Sequence, residues 1–253
     1  MYLILDLGNT NKKMAEVPQG ELRTEEFSAI AGKIESFPEI SLQAVREFAG
    51  RHSSIEACIV SSVIPFPASI SSWLGKQFRY LELDSSTPLP IHNRYQSPGT
   101  LGKDRLAAAV AGAAVYPRQP VLVINAGTAL TYDFVAPGGD YLGGAISPGM
   151  NMRFRALHTF TKQLPLLTYR EIDFLTGDNT DKSVLSGVIN GMTAEMEGMI
   201  ACYQKEHPGI KVILSGGDLN YFVNRLKISI FALPNIVIYG LHQILCFNDK
   251  KSL

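Results

Sequence analysis

Short apolar runs that end in a polar residue and a glycine turn recur along this chain. Tyr2–Asp6 runs into Gly8-Asn9-Thr10, and a second run, Lys13–Val17, follows at once, so the pair reads as a hairpin with a polar tip. Glu21–Ala29 is the candidate for a third strand. Ile40–Ala49 spaces Leu42, Val45, Phe48 and Ala49 for one buried helix face. Ile55–Val60 then reads as a buried strand, Pro67–Lys76 as a short helix and Tyr80–Leu83 as another strand.

The same order returns in the second half. The β-branched run Val121–Ile124 ends in Asn125 and the turn Ala126-Gly127-Thr128, followed by strand candidates Leu130–Val135 and Tyr141–Ser147. Lys182–Lys205 carries an apolar stripe from Leu185 to Tyr203 at helical spacing. Lys211–Leu214 reads as a strand, Leu219–Leu226 as a helix, Ile228–Phe231 as a strand and Asn235–Phe247 as a closing helix. A unit repeated at this size predicts an α/β chain of two duplicated halves, residues 1–117 and 118–253, with their glycine turns facing across a cleft. A single α/β sheet with two coincidental hairpins is the alternative.

Composition removes several function classes. Hydrophobic residues make up 46% and charged residues 18% of 253, the balance of a globular chain. The formal net charge is zero and no basic helix stands out, so neither nucleic acid nor an acidic membrane surface is an expected partner. The first residues lack the pattern of a secretory signal, and no apolar run spans a bilayer, so a cytoplasmic location is expected. Cys58, Cys202 and Cys246 are widely spaced in apolar contexts and read as buried, reduced thiols.

The candidate chemistry sits in the turns. In Asp6-Leu7-Gly8-Asn9-Thr10-Asn11-Lys12-Lys13, glycine lets backbone approach a phosphate, amides and a hydroxyl can donate to it, and the lysines offset its charge. Asp6 at the strand end suits a hydrated Mg²⁺ that bridges phosphate oxygens. Thr128 repeats the hydroxyl on the opposite wall, and Ser215-Gly216-Gly217-Asp218 is bare enough for an adenine to lie against backbone. Tyr95–Arg105 leads into the small-residue run Leu106–Ala114, which should be a buried helix. At its mouth Asp104 can take the proton of an attacking hydroxyl and Arg105 can pair with a carboxylate. An isolated Asp-Arg pair would sooner be a helix cap and its solvated partner, but its place beside a phosphate cleft reverses that preference. Thr180 reads as an N-cap of the long helix.

Five segments in order resemble type III pantothenate kinases, members of the acetate and sugar kinase, Hsp70 and actin superfamily. They are D-x-G-N-T at Asp6–Thr10, P-x-x-L-G-x-D-R at Pro98–Arg105, G-T-A-x-T-x-D at Gly127–Asp133, G-G-x-I-x-P-G at Gly143–Gly149 and T-x-x-L-P at Thr161–Pro165. The resemblance implies two actin-like (ribonuclease H-like) halves around an ATP cleft, and phosphorylation of pantothenate to 4′-phosphopantothenate, the first step of coenzyme A synthesis. It implies ATP contacts at Asp6–Lys13 and Thr128, substrate contacts at Tyr95, Gly102, Lys103, Asp104 and Arg105, and Asp104 as the base. It also implies a homodimer in which Thr180 completes the neighbouring subunit's pocket. The family's aspartate ligand for a monovalent cation, K⁺ or NH₄⁺, is Asn125 here, so altered cation dependence is expected. A same-fold kinase for another carboxylate-bearing alcohol, or a catalytically impaired nucleotide-binding regulator, are the competing readings.

Overall fold

A computed structural model describes residues 1–30, 33–51 and 54–251. Within them the alternating apolar positions form two β-sheets. The first contains β1 (Tyr2–Leu7), β2 (Lys12–Val17), β3 (Ile34–Phe37), β4 (Ala57–Ser62) and β5 (Arg79–Glu82), in the spatial order β3-β2-β1-β4-β5. The second begins with the short edge strand β6 (His92–Asn93) and continues with β7 (Val121–Ala126), β8 (Ala129–Val135), β9 (Asp140–Pro148), β10 (Lys211–Ser215) and β11 (Phe231–Ala232). Its order is β11-β10-β7-β8-β9-β6. Apart from β6 the two sheets have one connectivity. In each, the first strand pairs antiparallel with the second and parallel with the fourth. These are duplicated actin-like halves.

Eight helices cover the sheets among the described residues: α1 (Thr24–Ile30), α2 (Leu42–Gly50), α3 (Ala68–Gln77), α4 (Lys103–Val115), α5 (Met150–Phe160), α6 (Thr180–Glu206), α7 (Leu219–Phe222) and α8 (Ile236–Lys251). Strand alternation sends Leu3, Leu5 and Leu7 to an outer core under α2 and α3. Tyr2 and Ile4 point the other way, into a central core shared with Val121 and Val123 of the second sheet. That core is filled by α4 and α8. Ala107, Ala108, Ala109 and Ala111 are all fully buried, so the small-residue run is indeed an inner helix. Helix α4, from the first half, packs on β7 and β8, whereas α8, from the second, packs on β1 and β4.

Four expectations need correction. Glu21–Ala29 is not a strand: α1 occupies it and the third strand is β3, paired with β2. Glu25 and Glu26 lie in the helix's first turn, and the Glu26 carboxylate accepts from the Arg23 N–H at 2.8 Å, so capping overrides the weak alternation. Leu219–Leu226 helical structure stops at Phe222, and the following strand is only Phe231–Ala232. Cys58 and Cys246 are buried, as expected, but Cys202 is exposed on α6. No described helix is long and apolar enough to cross a membrane.

Candidate active site

The pairing registers superpose the two halves residue by residue at the site. Asp6 on β1 lies between Lys13 of β2 and Ser61 of β4. Asn125 on β7 lies between Thr131 of β8 and Ser215 of β10. Asp6 and Asn125 each end a row that faces the central core, one following Tyr2 and Ile4, the other Val121 and Val123. The two polar strand ends therefore meet in one cleft of about 360 Å³, which also takes in Asp104, the turns at Gly8–Asn11 and Gly127–Thr128, and Ser215–Gly217.

The turns close by the same device. The Gly8 N–H donates to the Asn11 carbonyl and the Gly127 N–H to the Ala129 carbonyl, each at 3.0 Å, which leaves the intervening groups turned to the cleft. The exposed hydroxyls of Thr10 and Thr128 lie 2.9 Å apart. Gly149 braces the second turn: a Cβ there would stand 2.0 Å from the Gly127 carbonyl oxygen. Gly216 has φ +101° and would bring a Cβ within 2.0 Å of the Ala126 oxygen, so the third loop needs glycine both for conformation and for close approach.

Two residues of the expected phosphate loop lie elsewhere. Leu7 is fully buried in the outer core, because alternation turns it away from Asp6. Lys12, opposite Leu7 in register, folds its ammonium back onto the Asn9 carbonyl at 3.1 Å and does not line the cleft. Asp6, Gly8, Asn9, Thr10, Asn11, Lys13 and Thr128 do line it, as does Asn125.

The charges in the cleft act on one another. Burial pushes the Asp6 carboxyl up to about 7, with the Lys13 ammonium opposing and the Asp104 carboxylate adding to the rise. Burial lowers the Lys13 ammonium, against the pull of Asp6. A carboxylate so placed is costly while empty-handed and gains by meeting a cation. Among the described residues no group of three or more His, Cys, Asp or Glu could hold a metal ion. Asp6, with Asp104 nearby, suits a hydrated Mg²⁺ that takes its other oxygens from phosphate and water.

Asp104 stands in the first turn of α4, whose N-cap is Gly102 and not Asp104. Its Oδ1 accepts from the Arg105 N–H at 2.9 Å, and a Cβ on Gly102 would lie 2.5 Å from that oxygen. Glycine at 102 is thus what gives the carboxylate its space. Arg105 is neither solvated nor free. It is buried beneath the Tyr95 ring, 5.8 Å from guanidinium carbon to centroid, and its Nε donates to Asp133 Oδ1 at 2.9 Å. Asp133 is fully buried and also accepts from Tyr141 Oη at 2.8 Å and Thr131 Oγ1 at 3.2 Å. Lys103 is half-buried, its ammonium 3.9 Å from Glu82.

Thr180 opens α6 but does not cap it. The cap is Asn179, whose side chain accepts from the Lys182 N–H at 3.0 Å, and Thr180 is exposed outside the cleft of its own chain. Sequence reasoning missed Asn235 and gave no role of their own to Asp133 and Asp218. Asp133 was legible only as the end of a motif, because its partner lies 28 residues away. Asn235 lines the cleft from the start of α8. Asp218 is buried with Oδ2 unpartnered, and burial pushes it up to about 6.

Comparison with known proteins shows the family. The family model for type III pantothenate kinase matches residues 2–202. A type III pantothenate kinase of Christiangramia forsetii is 39% identical over 251 residues, covering 99% of this chain and 100% of the relative. One of Phocaeicola vulgatus is 41% identical with the same coverage. Among solved structures, a protein of Campylobacter jejuni described as a Baf family transcriptional activator aligns over 98% of this chain and 99% of its own, at 19% identity and a TM-score of 0.59. At that identity the likeness is one of fold. The chain belongs to the type III pantothenate kinase family.

Proposed function

We propose that this protein transfers the γ-phosphoryl group of ATP to the primary hydroxyl of pantothenate, giving 4′-phosphopantothenate and ADP, the first step of coenzyme A biosynthesis. The observation that carries the reading is that Asp104 and both glycine turns face one cleft. Backbone amides of the turns, with Thr10 and Thr128, donate to phosphate oxygens, and Lys13 offsets their charge. Asp6 would hold Mg²⁺, which neutralises charge on the phosphates when bound. Asp104 accepts the proton as the substrate oxygen bonds to phosphorus and the bond from phosphorus to the leaving ADP oxygen breaks. Positioning and electrostatics supply most of the acceleration in this reaction class.

Tyr95, Gly102, Lys103 and Arg105 are the substrate-side residues of this reading. Arg105, already paired with Asp133, holds that wall in place, and Lys103, 3.9 Å from Glu82, is the cation left to meet a substrate carboxylate. Asn125 keeps a carbonyl oxygen for K⁺ or NH₄⁺ but no charge. The exposure of Thr180 supports a homodimer in which it reaches the neighbouring subunit's substrate. The expected location is the cytoplasm. A coupled assay with purified protein, ATP, Mg²⁺ and pantothenate, beside a panel of sugars and short hydroxy acids, tests the reading. Turnover with pantothenate above all others is expected. Turnover restricted to a sugar, or none with any alcohol, overturns it.

A further inference from the structure

Lys13 is the only lysine or arginine among the described residues that line the cleft. Its ammonium donates to Asn235 Oδ1 at 2.8 Å, and no carboxylate among the described residues forms an ion pair with it. Asp6 beside it acts only through space. The holder is thus a neutral amide, which fixes the ammonium in place and leaves its charge uncancelled and its other two N–H groups available. Lys13 belongs to the first half of the chain and Asn235 to the second, 222 residues away.

The backbone of Asn235 adds a second observation. Its φ is +56°, a left-handed conformation that glycine adopts freely and that asparagine tolerates better than most other L-residues. Neighbouring bonds hold it there: the Tyr239 N–H donates to the Asn235 carbonyl at 3.2 Å, and the Ile236 N–H to Ser215 Oγ at 3.4 Å. An L-residue kept where glycine would sit without strain points to a use for its side chain. Asn235 also lines the cleft itself.

We infer that Asn235 is a positioning residue for phosphate recognition: from the far half of the molecule it holds the Lys13 ammonium where a nucleotide's phosphates arrive. The inference rests on the ATP reading above and deepens it. It acts on phosphate and not on the nucleoside, because Lys13 is the group it orients.

The test is titration calorimetry of the intact protein with Mg–ATP and, separately, with adenosine, for Asn235→Gly, Lys13→Met and the double variant. Asn235→Gly relieves the left-handed strain, so its unfolding temperature should equal or exceed that of the unmodified protein. It should weaken Mg–ATP binding at least about tenfold, the scale of one hydrogen bond to a charged group, and leave adenosine binding unchanged. In the Lys13→Met background it should add no further loss, since both act through one ammonium. Asn235→Asp, which places a carboxylate against the ammonium, should also weaken Mg–ATP and spare adenosine. Unchanged Mg–ATP affinity in Asn235→Gly, equal losses for both ligands, or additive losses in the double variant would each overturn the inference. Failure of the unmodified protein to bind ATP at all would instead remove the functional reading beneath it.

Discussion

Thr10 and Thr128 stand 118 residues apart in the chain and place their hydroxyl oxygens 2.9 Å from each other. Each is the exposed tip of a glycine turn, and the bond joins the two halves across the cleft mouth. A triphosphate that enters this gap replaces one neutral hydroxyl contact by two hydroxyl–phosphate contacts. Thr128→Val keeps the bulk and removes the donor. It should lower kcat/KM for ATP by roughly tenfold or more, the range for a hydrogen bond to a charged group, with little change in thermal stability. Steady-state kinetics with ATP varied, beside a melting curve, checks both halves of that expectation.

Asp104→Asn removes the proton acceptor and keeps the shape. Since Gly102 leaves room for the side chain, the fold and nucleotide binding should survive. Turnover should fall by roughly two to four orders of magnitude, the contribution of general-base catalysis. Near-normal turnover in the variant would take Asp104 out of that role.

Asp6 gives a pH signature. Its folded value of about 7 lies well above the ordinary 3.8, so folding favours the protonated form. The stabilisation this gives the ligand-free protein is complete below the unfolded value and is lost as pH rises through about 7. Mg–ATP favours the carboxylate, so the sign reverses on binding. Affinity for Mg–ATP should fall about tenfold per pH unit below 7, the slope of one linked proton, and level off above it. Binding titrations between pH 5 and 9 read this directly. Asp6→Asn should flatten the profile and weaken binding at high pH, and a wild-type affinity constant from pH 5 to 8 would contradict it.

Asn125 occupies in the second sheet the place Asp6 has in the first, flanked by Thr131 and Ser215. An amide there offers a monovalent cation one oxygen and no charge. Initial rates in potassium, ammonium and sodium should differ little for the natural protein, and Asn125→Asp should introduce a preference for potassium. Strong potassium activation of the natural protein, unchanged in Asn125→Asp, would refute this.

Much of this site could be read along the chain because strand ends and glycine turns are local signals. Asp6, Asn125 and Thr128 announce themselves within a few residues of their turns, and the all-apolar run after Arg105 had to be buried. What escaped depends on partners far away. Nothing near Arg105 reveals that Asp133 will claim its guanidinium, and nothing near Asn235 reveals Lys13. The short β3 and β6 escaped for another reason. Their four and two residues carry too little alternation to be seen, and the edge of a sheet supplies the rest. At Glu21–Ala29 the apolar spacing was ambiguous, and two glutamates in a first turn decided for helix. Thr180 lost the cap to Asn179 by one position.

The crossing of α4 and α8 has a mechanical corollary. A Cβ on Gly240 would fall 1.9 Å from the Ala107 carbonyl oxygen, and one on Gly112 would fall 2.6 Å from a Val123 methyl. The two rods touch main chain to main chain, like the blades of scissors at their rivet. The inner side of the second sheet is roofed mainly by α4, which precedes β7 and β8 in the chain, and that of the first sheet by α8 from the C-terminal end. The contact leaves no room for side-chain bulk between the rods, and a single added methyl at 240 would wedge them apart. Neither half on its own would keep a complete inner lining, because each borrows one rod from the other.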